Sequence, residues 1–285
     1  PDRSRSHFDA QDTLENGTTR ARGAADGWLN RAVGSMGGEG LGIAVGPTVP
    51  LVMRGNTRVR SWAPSAIPAA GADLMTRAAA LYRDDPLFAA TFARARRSAG
   101  MTATAMPGRR PPRGGIKAFL QMAEASGRFL ALTEGPRVAS LEFGGWDTHA
   151  GQKYRLNQQL KALADGVELL KAQLGPAWRK TVIVAVSEFG RTARENGSRG
   201  TDHGTGGAVL LAGGAVRGGK VLGRWPGLAP DALYQGRDLA ATTDLRAVLK
   251  GVLGDHLGLA NAALDGRVFP GSARIMPLGG LVRRG

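Results

Sequence analysis

The chain has 285 residues, 42% of them apolar and 21% charged, a balance that suits a globular protein long enough to bury a substantial core. Cysteine is absent, which excludes disulfides, thiolate metal sites and cysteine nucleophiles, so a metal here has to be held by carboxylate and imidazole. No apolar run approaches the ~20 residues that a bilayer requires, and no membrane span is expected.

The net charge of +15 comes from 38 basic residues, 31 of them arginine, against 23 acidic ones. Short clusters stand at "RARR" (94–97) and "RRPPR" (109–113), and none alternates with aromatic residues as a base-stacking platform does. The charge is therefore read as an arginine-rich composition bias, or as a match to an anionic small substrate, ahead of a nucleic-acid partner. The chain opens on "PDRSRSHFDAQD" with neither an initiator Met nor an apolar leader, and a mature or truncated chain is the expectation.

In chain order, "DGWLNRAVGSM" predicts a short amphipathic helix and "GIAVGPTVPLV" (42–52) a strand with irregular ends. Residues 73–98 are helical in pattern with a break at "DDP" (84–86), 106–115 is a loop, and a second helix is expected over 116–132. The stretch 53–135 thus reads as a helical insertion or cap, and 136–260 as the core of one domain covering 1–285. "RVASLEF" predicts a strand, followed by the turn "GGWDTHAGQ" (144–152). A helix comes next, on which Leu156, Leu160, Leu163, Val167, Leu170 and Leu174 recur at intervals of 4, 3, 4, 3 and 4. "TVIVAV" (181–186) suits a strand buried on both faces of a parallel sheet, and "GAVLLAGGAV" (207–216) a third strand. "TTDLRAVLKGVLGDHLGL" (242–259) is a last helix, with Thr242 or Thr243 as N-cap and Asp244 in the first turn. Strand–helix–strand with buried strands predicts a right-handed βαβ unit and an α/β fold whose ligands sit beyond the carboxyl ends of the strands.

Polar motifs gather at that edge. "WDTH" follows the first core strand, "SEFGRT" (187–192) the second, and "GTDHG" (200–204) precedes the third. They hold Asp147, His149, Glu188, Asp202 and His203, and alternate residues such as Asp147 and His149 can point the same way in extended chain. Carboxylates and imidazoles suit zinc, manganese or iron, with magnesium preferring the carboxylates. Each motif alone has a plain alternative as a chance pairing or a helix cap, and only their conjunction points to a metal site. Arg191 and Arg194 are placed to grip a phosphate or sulfate, with a solvated loop as the alternative. His256 is expected at the surface, and Trp146 as a packing or substrate-wall residue.

"GGWDTHAGQ", "TVIVAVSEFGRTARENGSRGTDHGTGG", "GGKVLGRWPGL" and "GRDLAATTDLRAVL" stand in this order over roughly 137–259, preceded by "RSRSHFDAQDTLENGT" and "GWLNR". These blocks resemble domain of unknown function family 1501, assigned to the alkaline phosphatase and sulfatase superfamily. The resemblance implies a three-layer α/β/α fold with a mainly parallel sheet, here N-terminally truncated, carrying a helical insertion. It implies a metal-dependent hydrolase of phosphate or sulfate esters that uses a divalent cation (zinc, manganese, magnesium or calcium) and an anionic ester substrate. Asp147 and His149 then correspond to ligands after the middle strand, and His203 to the later histidine of the same site. Glu188 takes an Asp position, while Phe189 stands where the superfamily has a ligating His. A second metal would therefore be weakened, absent, or completed by a group such as Asp202. The nucleophile sits at a helix N-terminus in that superfamily, which makes Ser6 the candidate and His7 its neighbour, with Arg191 beside the substrate. A helix cap is the competing role for Ser6. The family implies a periplasmic or exported protein with a twin-arginine signal, of which this chain retains none. The alternative is a non-catalytic exported binding or assembly protein that keeps the fold.

Overall fold

The computed structural model describes residues 5–64, 70–106 and 114–283. The loop expected at 106–115 falls mostly outside them. Helices α1 (His7–Asn16) and α2 (Trp28–Met36) lead into strands β1 (Gly42–Val45) and β2 (Arg60–Trp62). Three helices follow, α3 (Ala72–Leu81), α4 (Pro86–Ala105) and α5 (Gly115–Ala131), then β3 (Val138–Leu141) and the long α6 (Gln152–Leu174). The remainder comprises β4 (Ile183–Ala185), β5 (Gly190–Arg191), β6 (His203–Gly204), β7 (Leu210–Ala212), α7 (Leu245–Leu257) and α8 (Asn261–Ala263). The fold is mixed α/β, with eight α-helices and a small parallel sheet among the described residues.

The parallel sheet runs β2–β1–β3, with Ile43 opposite Arg60 on one side and Ala139 on the other. β1 is buried throughout, and only the first four residues of the expected 42–52 strand form it; Gly46 still donates to the Trp62 carbonyl, and Pro47, which has no N–H, ends the ladder. Ile43 and Val45 pack with Phe119, Met122 and Phe129 of α5, while Trp62 meets Phe129 edge-on at 5.7 Å. Within 53–135, then, β2 and α5 belong to the packed sheet, whereas α3 has no buried residue and α4 only Ala105. No helix among the described residues is long and apolar enough to cross a membrane.

The expected βαβ unit from 138 to 186 does not pair as such. β3 joins β1, while β4 pairs antiparallel with β7, Val184 opposite Leu211, and is half-buried rather than enclosed on both faces. A parallel partner needs a crossover, commonly a helix, and the 187–209 connection contains none, so the returning strand runs antiparallel. Val184 still reaches two apolar clusters, one with Leu249 and Leu253 of α7 and the other with Val252 and Val282. α7 is capped by Asp244, whose carboxylate accepts the Arg246 N–H at 2.9 Å, rather than by Thr242 or Thr243. Thr242 instead donates to the Arg224 carbonyl. Burial lowers the pKa of His256, which, expected at the surface, is half-buried on α7.

α6 carries the turn that holds "WDTH", and α5 is what it packs on. Its buried stripe is Ala162, Gly166, Leu170 and Leu174, rotated from the leucine pattern so that Leu160 stays 47% exposed. The cause is close approach at small residues. A Cβ on Gly166 would lie 2.6 Å from the Phe119 ring, and one on Gly127 would lie 2.7 Å from the Leu170 carbonyl oxygen. Gly127→Ala gains about 1 kcal/mol of helix propensity but forces apart two helices at a cost of about 1–3 kcal/mol. The expected outcome is net destabilisation, seen as a lower urea midpoint at unchanged slope.

Candidate metal centre

Four segments meet beyond the carboxyl end of β3. The turn after β3 brings Asp147 and His149, α1 brings His7, β5 brings Arg191 and β6 brings His203. Asp147 is their common partner. Its Oδ1 lies 2.9 Å from His149 Nε2 and 3.1 Å from His203 Nε2 and also takes a hydrogen bond from Arg191 Nη1, while Oδ2 lies 3.2 Å from His7 Nε2. His149 Nε2 and His203 Nε2 stand 3.0 Å apart. His7, Asp147 and His203 offer ligand atoms that all lie within 4.8 Å of one another.

The donor set fits a divalent cation. Bonds of 2.0–2.1 Å place neighbouring ligand atoms about 3.0 Å apart in an octahedron and about 3.3 Å apart in a tetrahedron. The separations of 2.9 to 3.2 Å from Asp147 to the three imidazoles fall at that spacing. His203 Nδ1 is 2.8 Å from the Arg5 carbonyl oxygen, which can only accept, so the proton sits on Nδ1. Nε2, the nitrogen turned towards Asp147 and His149, is then the one that His203 could offer to a cation.

The surrounding side chains hold the far side of each imidazole. Glu188 Oε1 is 2.7 Å from His7 Nδ1, and Asp202 Oδ1 is 3.2 Å from His149 Nδ1. Glu188 and Asp202, expected as ligands, contact the Nδ1 atoms of His7 and His149, while Asp147, His149 and His203 lie together. His7, which sequence reasoning left as a neighbour of Ser6, faces the centre. Its signal was present in the chain's four histidines, since three of them gather here. Ser6 caps α1, accepting the Asp9 N–H at a long 3.5 Å. Arg191 donates from Nε to Thr201 Oγ1 at 3.0 Å and from Nη2 to the Thr201 carbonyl, so its fork is turned on the protein. Arg194 is exposed. Phe189 lies against the rings of His7 and His203, at 4.9 and 4.6 Å between centroids, as a wall of the site. Trp146 packs edge-on against Phe143 at 5.4 Å, the packing role expected of it.

Asn196 is the organiser that no motif announced. Its amide donates to the His149 carbonyl and to Asp202 Oδ1, each at 3.0 Å, while its carbonyl accepts the Ser198 and Gly200 N–H groups. A Cβ on Gly200 would overlap the His149 backbone, so only glycine lets this loop pass so close. Gln152 at the start of α6 accepts from Thr148 at 2.9 Å and Thr201 at 2.5 Å, tying the turn to the loop.

The charges answer to these contacts. The hydrogen bond that His7 donates to Glu188 raises its pKa above 6.5, against the opposing effect of burial. Burial pushes Asp147 up, but Arg191 and His7 outweigh it and hold the carboxyl at about 2. Glu188 is likewise pushed up by burial and brought below its ordinary value by its own backbone N–H, Ser187 and His7. Asn196 and then His149 lower Asp202.

The family model described as a protein of unknown function, DUF1501, matches residues 1–270. The chain belongs to the DUF1501 family. No curated protein and no solved structure matches it.

Because the pKa of Asp147 is depressed from 3.8 to about 2, its stabilising contribution is present above 3.8 and is lost as pH falls towards 2. In metal-free protein, the stability difference between wild type and Asp147→Asn is expected to shrink across that window. Urea unfolding from pH 6 down to pH 2 measures it, and a constant difference would contradict the ion-pair origin of the shift.

Proposed function

We propose that this DUF1501 protein is a metal-dependent hydrolase of phosphate or sulfate esters, built on an alkaline phosphatase-like three-layer fold and acting in an exported compartment. The observation that carries this reading is the convergence of three imidazole Nε2 atoms on one carboxylate. His7, Asp147, His149 and His203 would hold the cation. When bound there, a divalent cation supplies Lewis acidity towards an ester oxygen and a water of lowered pKa.

The chain's own residues supply the rest. Arg191 fixes Asp147, Glu188 orients His7 through Nδ1, and Asp202 orients His149 through Nδ1. Ser6, at the N-terminus of α1 and next in sequence to His7, is the candidate nucleophile, in a place where helix amides and dipole favour an anion. The net charge of +15 favours an anionic ester among substrates.

Phe189 favours a second reading, a binding or assembly protein that keeps the fold without chemistry, because an aromatic wall occupies a place where a second metal would need a donor.

Metal analysis of the purified protein, with turnover of p-nitrophenyl phosphate and p-nitrophenyl sulfate, separates the two. One bound divalent cation, lost in His203→Ala and His7→Ala, together with turnover of either ester, is the expected result. Glu188→Gln should weaken metal binding by about 10- to 100-fold. Metal without turnover would favour the binding protein, and stoichiometric metal retained in His203→Ala would overturn the ligand set.

A further inference from the structure

A buried ion pair lies behind His203. Asp238 is fully buried, on an extended segment that bridges Thr192, next to Leu239, whose carbonyl accepts the Gly206 N–H at 2.9 Å. The segment is thereby fastened on either side of the β5–β6 ribbon that carries Arg191 and His203. A buried carboxylate demands charged partners. Asp238 Oδ2 receives Arg5 Nε and Nη2, both at 2.8 Å, and Oδ1 receives Arg237 Nη1 at 3.0 Å.

Arg5 is bent to make this contact. Its φ is +56°, a region that L-residues rarely adopt, and its Nη2 also donates to Gln235 Oε1 at 2.7 Å. The same backbone turn directs the Arg5 carbonyl at His203 Nδ1. Two residues later the chain delivers His7 to the other side of Asp147, with the His7 and His203 rings 4.5 Å apart. One buried carboxylate is thus joined, through one arginine, to the carbonyl that faces one imidazole and to the segment that carries another.

We propose that Asp238, acting through Arg5, is a positioning residue that fixes the Nδ1–H tautomer of His203 and sets His7 beside it. The proposal rests on the metal-centre reading for its purpose, but the clamp itself does not need the metal.

The test measures the ring-nitrogen NMR signals of His203 in metal-free protein, together with Zn²⁺ affinity by competitive titration, for wild type, Arg5→Gln and Asp238→Asn. Arg31→Gln serves as the comparator. Arg31 makes a similarly dense set of hydrogen bonds, to Asp26, Asn16 and Val268, away from the site. Wild type should carry the His203 proton on Nδ1. Arg5→Gln and Asp238→Asn should show both tautomers and bind Zn²⁺ about 10- to 100-fold more weakly. Arg31→Gln should lose thermal stability while keeping tautomer and affinity. Should Asp238→Asn fail to fold, Arg5→Gln decides, since the Arg5 side chain is 24% exposed. An Nε2–H tautomer in wild type, or an unchanged tautomer and affinity in Arg5→Gln, overturns the proposal. A Zn²⁺ loss in Arg31→Gln equal to that in Arg5→Gln overturns it too. A wild-type protein that binds no Zn²⁺ sinks the metal reading instead, and the tautomer still decides the clamp.

Discussion

Everything at the mouth of β3 depends on Asp147. A carboxylate has about four lone-pair directions, and this one faces four partners drawn from three other places in the chain and its own turn: His7, His149, Arg191 and His203. Of these, Arg191 sets the position, because its remaining nitrogens are bonded to Thr201 and cannot follow the carboxylate if it moves. The imidazoles then take their spacing from one another and from Asp147. Such a cluster holds together only where a negative or cationic centre reconciles facing nitrogens, and Asp147 is the one carboxylate they share.

Packing at a distance makes that spacing possible. Gly127 and Gly166 let α5 and α6 approach closely, and α6 begins at Gln152, which accepts from both Thr148 and Thr201. The helix contact therefore positions the "WDTH" turn, and Gln152 carries the position on to the loop that bears Asp202 and His203. On the far side, Lys250 of α7 is fully buried and donates to Asp265 and to the Ser272 and Ile275 carbonyls, which fixes the C-terminal segment against α7. α7 in turn lies under β4, the strand that leads to Glu188. Helix packing and site geometry are linked through these few side chains.

Much of this was legible in the sequence. Periodicity leads to helices over 73–98 and 116–132 and to a strand in "RVASLEF", of which 138–141 is extended, while acids paired with histidines in glycine turns point to Asp147, His149 and His203. What escaped has physical reasons. An apolar run such as "TVIVAV" has no signature of strand direction, and only the absence of a helix between 186 and 210 forces the antiparallel return. Leucine spacing on α6 marks an apolar face, yet the closest contact goes to Ala162 and Gly166, where small volume rather than hydropathy decides. Glu188 and Asp202 carry the chemistry of ligands, and their contacts with His7 Nδ1 and His149 Nδ1 depend on a tertiary arrangement that composition does not encode. Asn196 left no trace at all, since an asparagine in a glycine-rich loop has many ordinary uses.

Phe189 shows how a motif can mislead about a site that is assembled from afar. Read along "SEFG", the superfamily resemblance implies a ligating histidine where Phe189 stands. In space its ring rests 4.9 Å from His7, an imidazole supplied by a segment more than 180 residues earlier. The aromatic then serves the histidines rather than replacing one. Its ring lies along both histidine rings, 4.9 Å from His7 and 4.6 Å from His203. His7, Asp147 and His203 are the one group of three such donors within mutual reach among the described residues, and the Phe189 ring borders two of its members.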